Sequence, residues 1–179
     1  MSTRKELHSI PAASNEAKPS IRWVPGSIIA NAYRVEPLEI HGGAYGSIHL
    51  VRHLKWNIDL IVKSPNEKTI QETGGIERFK EREAYEWVRL GLHPNIATCF
   101  YVRTFDDGLP HVFIEYVDGG SLAGWLEQGK ITDLAMALDI GIQICWGVGW
   151  AHKQKPSLVH RDITECVNDL RHLFPEFKL

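Results

Sequence analysis

Three groups in this sequence have the types and spacing that suit phosphate chemistry. The cluster His41-Gly42-Gly43-Ala44-Tyr45-Gly46 lies between two apolar runs, and Lys63 closes a third run 17 residues after Gly46. Glycines between strands ordinarily only make turns, and a lysine at a strand end ordinarily faces water. Together they suggest more. A glycine hairpin lets backbone N–H groups approach phosphate oxygens without a Cβ in the way, and a lysine on the next strand reaches the same oxygens. Glu83, 20 residues beyond Lys63, shares the helical spacing of Phe79 and Trp87 and so falls on an inward stripe. A buried carboxylate needs a partner, and Lys63 is the natural one. The nearby Glu77, Lys80, Glu81 and Arg82 read instead as a solvated charge face.

The pattern around these residues supplies strands and helices to position them. Residues 33–40 and 47–51 flank the glycines as a hairpin, and residues 58–62 (IDLIV) make a third strand ended by Lys63-Ser64-Pro65. The polar NEKTIQETGG that follows reads as a loop. Apolar residues recur at spacings of three and four over residues 76–90, which predicts a helix stopped by Gly91. Residues 96–103 and 111–117 form two further strands around the turn Asp106-Asp107-Gly108. Ser121 caps a short helix to Gln128, and residues 132–153 form a long helix, apolar on most sides, of the kind buried in a core.

Composition narrows the class without naming a chemistry. The 179 residues are 44% hydrophobic and 23% charged, enough for one domain or two small lobes. A net charge of −2 gives no basic footprint for nucleic acid. The uncharged stretch 140–151 is shorter than the roughly 20 apolar residues of a membrane span. Residues 1–20 read as a disordered leader without the apolar segment of a secretory signal. Cys99, Cys145 and Cys166 form no C-x-x-C pair, which suggests reduced thiols and a cytoplasmic setting. The nine histidines show no metal-ligand spacing, and Trp56, Trp87, Trp125, Trp146 and Trp150 read as core.

In order along residues 33–164, the chain resembles the N-terminal part of a protein kinase domain of microbial Ser/Thr type. The matching residues are Gly43-Ala44-Tyr45-Gly46-Ser47-Ile48, Ile61-Val62-Lys63, Glu83 and Leu92-His93-Pro94-Asn95-Ile96. They continue through Phe113-Ile114-Glu115-Tyr116-Val117-Asp118-Gly119-Gly120-Ser121-Leu122 to His160-Arg161-Asp162-Ile163. The resemblance implies an α+β fold: a five-stranded antiparallel sheet with one helix, then the first helices of a truncated α-helical second lobe. The corresponding segments are a leader at 1–20, an N-terminal lobe at 21–117, a hinge exit and second-lobe start at 118–164, and a divergent tail at 165–179.

Roles follow from the same resemblance. Gly43 and Gly46 would let the loop fold over ATP phosphates with Tyr45 at its tip. Lys63 would contact the α and β phosphates, held by Glu83. Ile40, Ile48 and Ile61 would line the adenine slot, with the Glu115 carbonyl and the Val117 N–H at the hinge and Ile114 as gatekeeper. Asp162 would be the catalytic aspartate, supported by His160 and Arg161.

Departures from the family pattern bear on activity. His41 replaces the first loop glycine, Ile61 replaces the usual alanine and would crowd adenine, and Val167 occupies the register of an asparagine. The final ECVNDLRHLFPEFKL contains no DFG, so magnesium, which the family implies, lacks its usual ligands and no metal site is assigned. The tail reads at most as a short helix over residues 165–173. Expected partners are ATP and a protein substrate, with no nucleic acid or membrane and with self-association through exposed apolar surface. The functional expectation is ATP-dependent phosphoryl transfer to protein Ser or Thr. Its alternatives are an inactive kinase-like module that binds nucleotide or a partner, and a non-functional frameshift product.

Overall fold

A computed structural model describes residues 21–40 and 46–159, apart from the side chains of residues 39, 40 and 82–84. The leader at 1–20 and the tail at 165–179 lie outside the described residues. Six strands form one antiparallel sheet: β1 (Ile28–Ile29), β2 (Tyr33–Ile40), β3 (Gly46–His53), β4 (Ile58–Pro65), β5 (Cys99–Thr104) and β6 (Pro110–Glu115). Their order is β1-β2-β3-β4-β6-β5. The five expected strands are present, and the two-residue β1, paired with Arg34 and Tyr33, adds a sixth.

Alternation along the strands gives the sheet two unlike faces. One carries Tyr33, Val35, Val51, Leu60, Val62 and Phe113, all buried and closed over by Trp23. Phe113 is the centre of this layer, stacked at 4.6 Å on Tyr33 and 4.8 Å on Tyr101. The other face carries the buried Cys99, Val112 and Ile114, with Ile61, Trp87 and Val88 packed on them.

Trp87 and Val88 come from a helical rod made of α2 (Ile76–Phe79), a π-helical turn (Lys80–Tyr85) and α3 (Glu86–Leu90). The helix expected at 76–90 is therefore continuous but wider in its middle, where the predicted spacing of three and four does not hold. The stretch read as a loop after Pro65 contains a further helix, α1 (Glu67–Glu72). Asn66 starts it, because its Oδ1 accepts from the Thr69 N–H at 2.7 Å, and Gly74 and Gly75 follow its end at positive φ. A polar run with one strong cap outweighed the turn residues around it.

Beyond β6 lie α4 (Leu122–Glu127) and α5 (Leu134–Lys153). Ser121 caps α4 as expected, and Asp133 caps α5, accepting from the Met136 N–H at 2.9 Å. Expected burial of α5 is not what is observed. Only Ala137 and Gly147 are buried, and Leu138, Ile142 and Trp146 are exposed. Among the described residues, Trp150 donates to the Leu90 carbonyl at 2.8 Å and stacks on His93 at 5.5 Å, Asn95 donates to Gln143 at 3.1 Å, and Gly147 lies against the Asn95 carbonyl. By length and composition, α5 is the one described helix able to cross a membrane. Counting only residues 140–151 missed this, because a single charge, Asp139, interrupts the apolar run. The tryptophan reading also needs correction. Trp56, Trp146 and Trp150 are exposed, and the buried tryptophan is Trp23, at 7% exposure.

Candidate functional site

The register of the sheet gathers several predicted residues into two adjacent rows. Ile40 pairs with Ile48, Ile48 with Lys63, and Lys63 with Val112. The next row runs Leu50, Ile61, Ile114, Cys99. Ile48, Lys63 and Val112 of the first row and the whole of the second stand on the face opposite the aromatic layer, so Ile48, Ile61 and Lys63 share one surface with Ile114 behind them. Ile114 is 3% exposed and forms part of the wall. Burial pushes the neighbouring Cys99 thiol up to about 11, against the opposing pull of Lys63. This sulfur is therefore a protonated wall group rather than a nucleophile.

Lys63 reaches across to the helical rod. Its Nζ lies 4.9 Å from the centroid of the Trp87 ring, and Trp87 is itself fixed by donating Nε1–H to the Ala97 carbonyl at 3.0 Å. Such a cation over an indole contributes roughly 0.5–1 kcal/mol where water has access. Glu83 lies in the π-helical turn, four residues before Trp87. Its backbone thus belongs to the rod that Lys63 meets, and its carboxylate falls outside the described side chains.

Gly46 begins β3 with φ 142°, and a Cβ there would sit 2.1 Å from the Ser64 carbonyl oxygen. Only glycine allows β3 to approach β4 this closely, directly beside Lys63. The glycine thus has a packing reason as well as the phosphate one read from sequence. Gly43, Tyr45, His160, Arg161 and Asp162 lie outside the described residues.

At the hinge, Glu115 ends β6. Its N–H donates to the Thr98 carbonyl at 2.8 Å, and its Oε2 accepts from the Thr98 N–H at 2.9 Å. Val117, just beyond, is 58% exposed. A groove of about 630 Å³ is lined by residues 92–98, Glu115 and Val117. It touches the hinge but not Ile48, Ile61 or Lys63, so it is not the slot those residues frame. Among the described residues, no group of three or more His, Cys, Asp or Glu side chains stands together as a metal site.

Sequence reasoning missed two features. It took Trp87 for core, where its ring also meets the Lys63 ammonium. It also overlooked Ser64, His111 and Asp107, which join on the aromatic side of the sheet. His111 Nδ1 lies 2.7 Å from Ser64 Oγ, and His111 Nε2 lies 3.0 Å from Asp107 Oδ2. The available signal was polar residues at positions that alternate with Lys63 and Val112 along buried strands.

No family model matches the chain. It is 27% identical over 164 residues to the MAP kinase kinase kinase SSK2 of Saccharomyces cerevisiae, a match covering 90% of this chain and 9% of that protein. It is 29% identical over 153 residues to the serine/threonine-protein kinase SSK22 of the same yeast, covering 84% of this chain and 10% of that protein. Serine/threonine-protein kinase PknB of Mycobacterium leprae is 26% identical over 124 residues, 68% of this chain and 19% of that protein. The chain therefore spans only about a tenth of the two yeast proteins. Among solved structures, the Mycobacterium tuberculosis PknI kinase domain superposes with a TM-score of 0.60 at 24% identity. That match covers 78% of this chain and 53% of that one. The fold and the resemblance read from the motifs are both borne out.

Proposed function

We propose that this chain, a protein kinase domain in fold and in sequence resemblance, is part of a Ser/Thr-type kinase and holds ATP on the Lys63 face of its sheet. Adenine lies against Ile40, Ile48 and Ile61, in front of Ile114, and meets the hinge backbone at Glu115 and Val117. The phosphates lie under the loop from Gly43 to Gly46, with the α and β groups on Lys63, whose position Glu83 fixes. The observation that carries this reading is the row Ile40–Ile48–Lys63–Val112, with the lysine ammonium drawn to Trp87 on the rod that bears Glu83.

In the transfer itself, a protein Ser or Thr hydroxyl oxygen bonds to the γ-phosphorus as the bond from that phosphorus to the ADP oxygen breaks. Asp162 takes the hydroxyl proton. Lys63 balances charge on the phosphates that remain with ADP. Kinases also use magnesium to neutralise these phosphates. The described residues offer no ligand set that fits it.

A second reading, a kinase-like module that binds nucleotide without turnover, is favoured by Val167 in the register where kinases carry asparagine. Calorimetry with ATP, with and without EDTA, tests what the two readings share. Lys63→Met is expected to weaken binding roughly ten- to hundredfold, as for loss of a charged hydrogen bond, and Ile61→Ala to strengthen it by relieving crowding. Unchanged affinity in Lys63→Met overturns the site. Transfer of labelled phosphate to a protein substrate, abolished in Asp162→Ala, supports the kinase. Binding without transfer supports the module.

A further inference from the structure

The buried polar group on the closed side of the sheet has no role in the chemistry above, yet it grips the residue next to Lys63. His111 is 2% exposed, and its ring stands edge-on to Trp23 at 5.5 Å and to Phe105 at 5.1 Å. Polar atoms in such a layer persist only when satisfied, and both ring nitrogens are. With Asp107 ionised, its carboxylate can only accept, so Nε2 carries the proton and donates to Oδ2 at 3.0 Å. Nδ1 is then an acceptor, and the Ser64 hydroxyl donates to it at 2.7 Å. Asp107 is fixed in turn, because its Oδ1 accepts from the Leu109 N–H at 3.0 Å. The chain of contacts thus runs from the β5–β6 turn, through β6, to the end of β4.

Ser64 is held from a second direction as well. Its carbonyl oxygen is the atom that Gly46 approaches so closely that a Cβ would lie 2.1 Å away. Ser64 also pairs with Ser47, while Lys63 pairs with Ile48. One residue therefore takes the His111 contact on one face, the Gly46 contact along its backbone and the phosphate-reaching lysine as its immediate neighbour.

We propose that Asp107, His111 and Ser64 form a positioning relay that fixes the end of β4, and with it Lys63 and Gly46, for the phosphates of the nucleotide. This deepens the ATP-binding reading and rests on it. The relay touches neither adenine nor phosphate. It acts on the phosphate end of the site and leaves the adenine slot of Ile48 and Ile61 alone.

Calorimetric binding of ATP and of adenosine to the full chain tests this. Ser64→Ala is expected to weaken ATP binding about three- to tenfold, the scale of one hydrogen bond, while adenosine binding is unchanged. Two substitutions at His111 separate the relay's halves. His111→Asn keeps an acceptor where Nδ1 stood and is expected to retain ATP affinity better. His111→Gln keeps a donor where Nε2 stood, releases Ser64 and is expected to behave like Ser64→Ala. Ser64→Thr restores the hydroxyl and is expected to restore ATP affinity. A general loss of structure would lower ATP and adenosine binding together, and that result overturns the relay. So does ATP affinity equal to the parent's in both Ser64→Ala and His111→Gln. A parent chain that binds no ATP overturns the nucleotide reading itself, and the relay with it.

Discussion

Alternate residues of β4 serve two faces that differ in kind. Leu60, Val62 and Ser64 enter a closed layer of aromatic rings, whereas Ile61 and Lys63 stand on the open side toward the helical rod. On the closed side each side chain is held by several neighbours, as Phe113 is between Tyr33 and Tyr101. On the open side Lys63 is exposed, with its ammonium 4.9 Å from the centroid of the Trp87 ring. The comparison teaches that stability and binding here are divided by side-chain parity along a single strand. A substitution in the aromatic layer should register first in stability, and one on the open side first in binding. Ser64, tied to His111 and adjacent to Lys63, is the residue that joins the two.

The largest test falls on the closed side. Phe113→Ala is expected to cost about 3–5 kcal/mol, read as a lowered urea midpoint at unchanged slope. A loss below 1 kcal/mol would mean that the aromatic layer is not the main core. Gly46→Ala sits on the boundary between the faces and must move the Ser64 carbonyl at a positive φ. It should cost about 2–4 kcal/mol and also weaken ATP binding.

Acid should act through the closed side too. Burial holds the His111 imidazole below its ordinary 6.5, against the opposing pull of Asp107, and burial followed by the nearby His111 does the same for His49. The unfolded chain therefore takes up protons near 6.5 that the folded chain refuses. Stability should be flat above that pH and fall below it, with His111 contributing a slope of at most ~1.4 kcal/mol per pH unit. Denaturation midpoints from pH 8 to 5 would show this, and His111→Gln should flatten the curve.

Effects on stability should then shrink. Lys63→Met should act on ATP affinity far more than on stability, the Trp87 contact it loses being worth about 0.5–1 kcal/mol. Leu138→Lys, on the exposed face of α5, should shift the midpoint by within about 0.5 kcal/mol. A larger loss there would show that the helix's exposed side chains are held by something beyond the described residues.

What was legible in the sequence follows the same division. The strands of the sheet were legible because period-two alternation and turn glycines are local signals. The row of Ile48, Lys63 and Val112 was not, because register joins residues far apart in the chain. The helix at 67–72 was hidden by glycine and proline neighbours, although its Asn66 cap is a local cue. Burial of α5 was misjudged because apolar composition says what a helix can bury, not what lies against it. His111 looked incidental, since only the fold brings it to Ser64, 47 residues away.

The Lys63–Trp87 contact also makes the site optically readable. An ammonium held over an indole imposes a local electric field, and a phosphate that draws the ammonium away would relax it. Trp87 is anchored by its own hydrogen bond to Ala97, so the ring stays in place as the charge departs. With the other five tryptophans replaced by phenylalanine, the emission of Trp87 would follow nucleotide arrival without any attached dye.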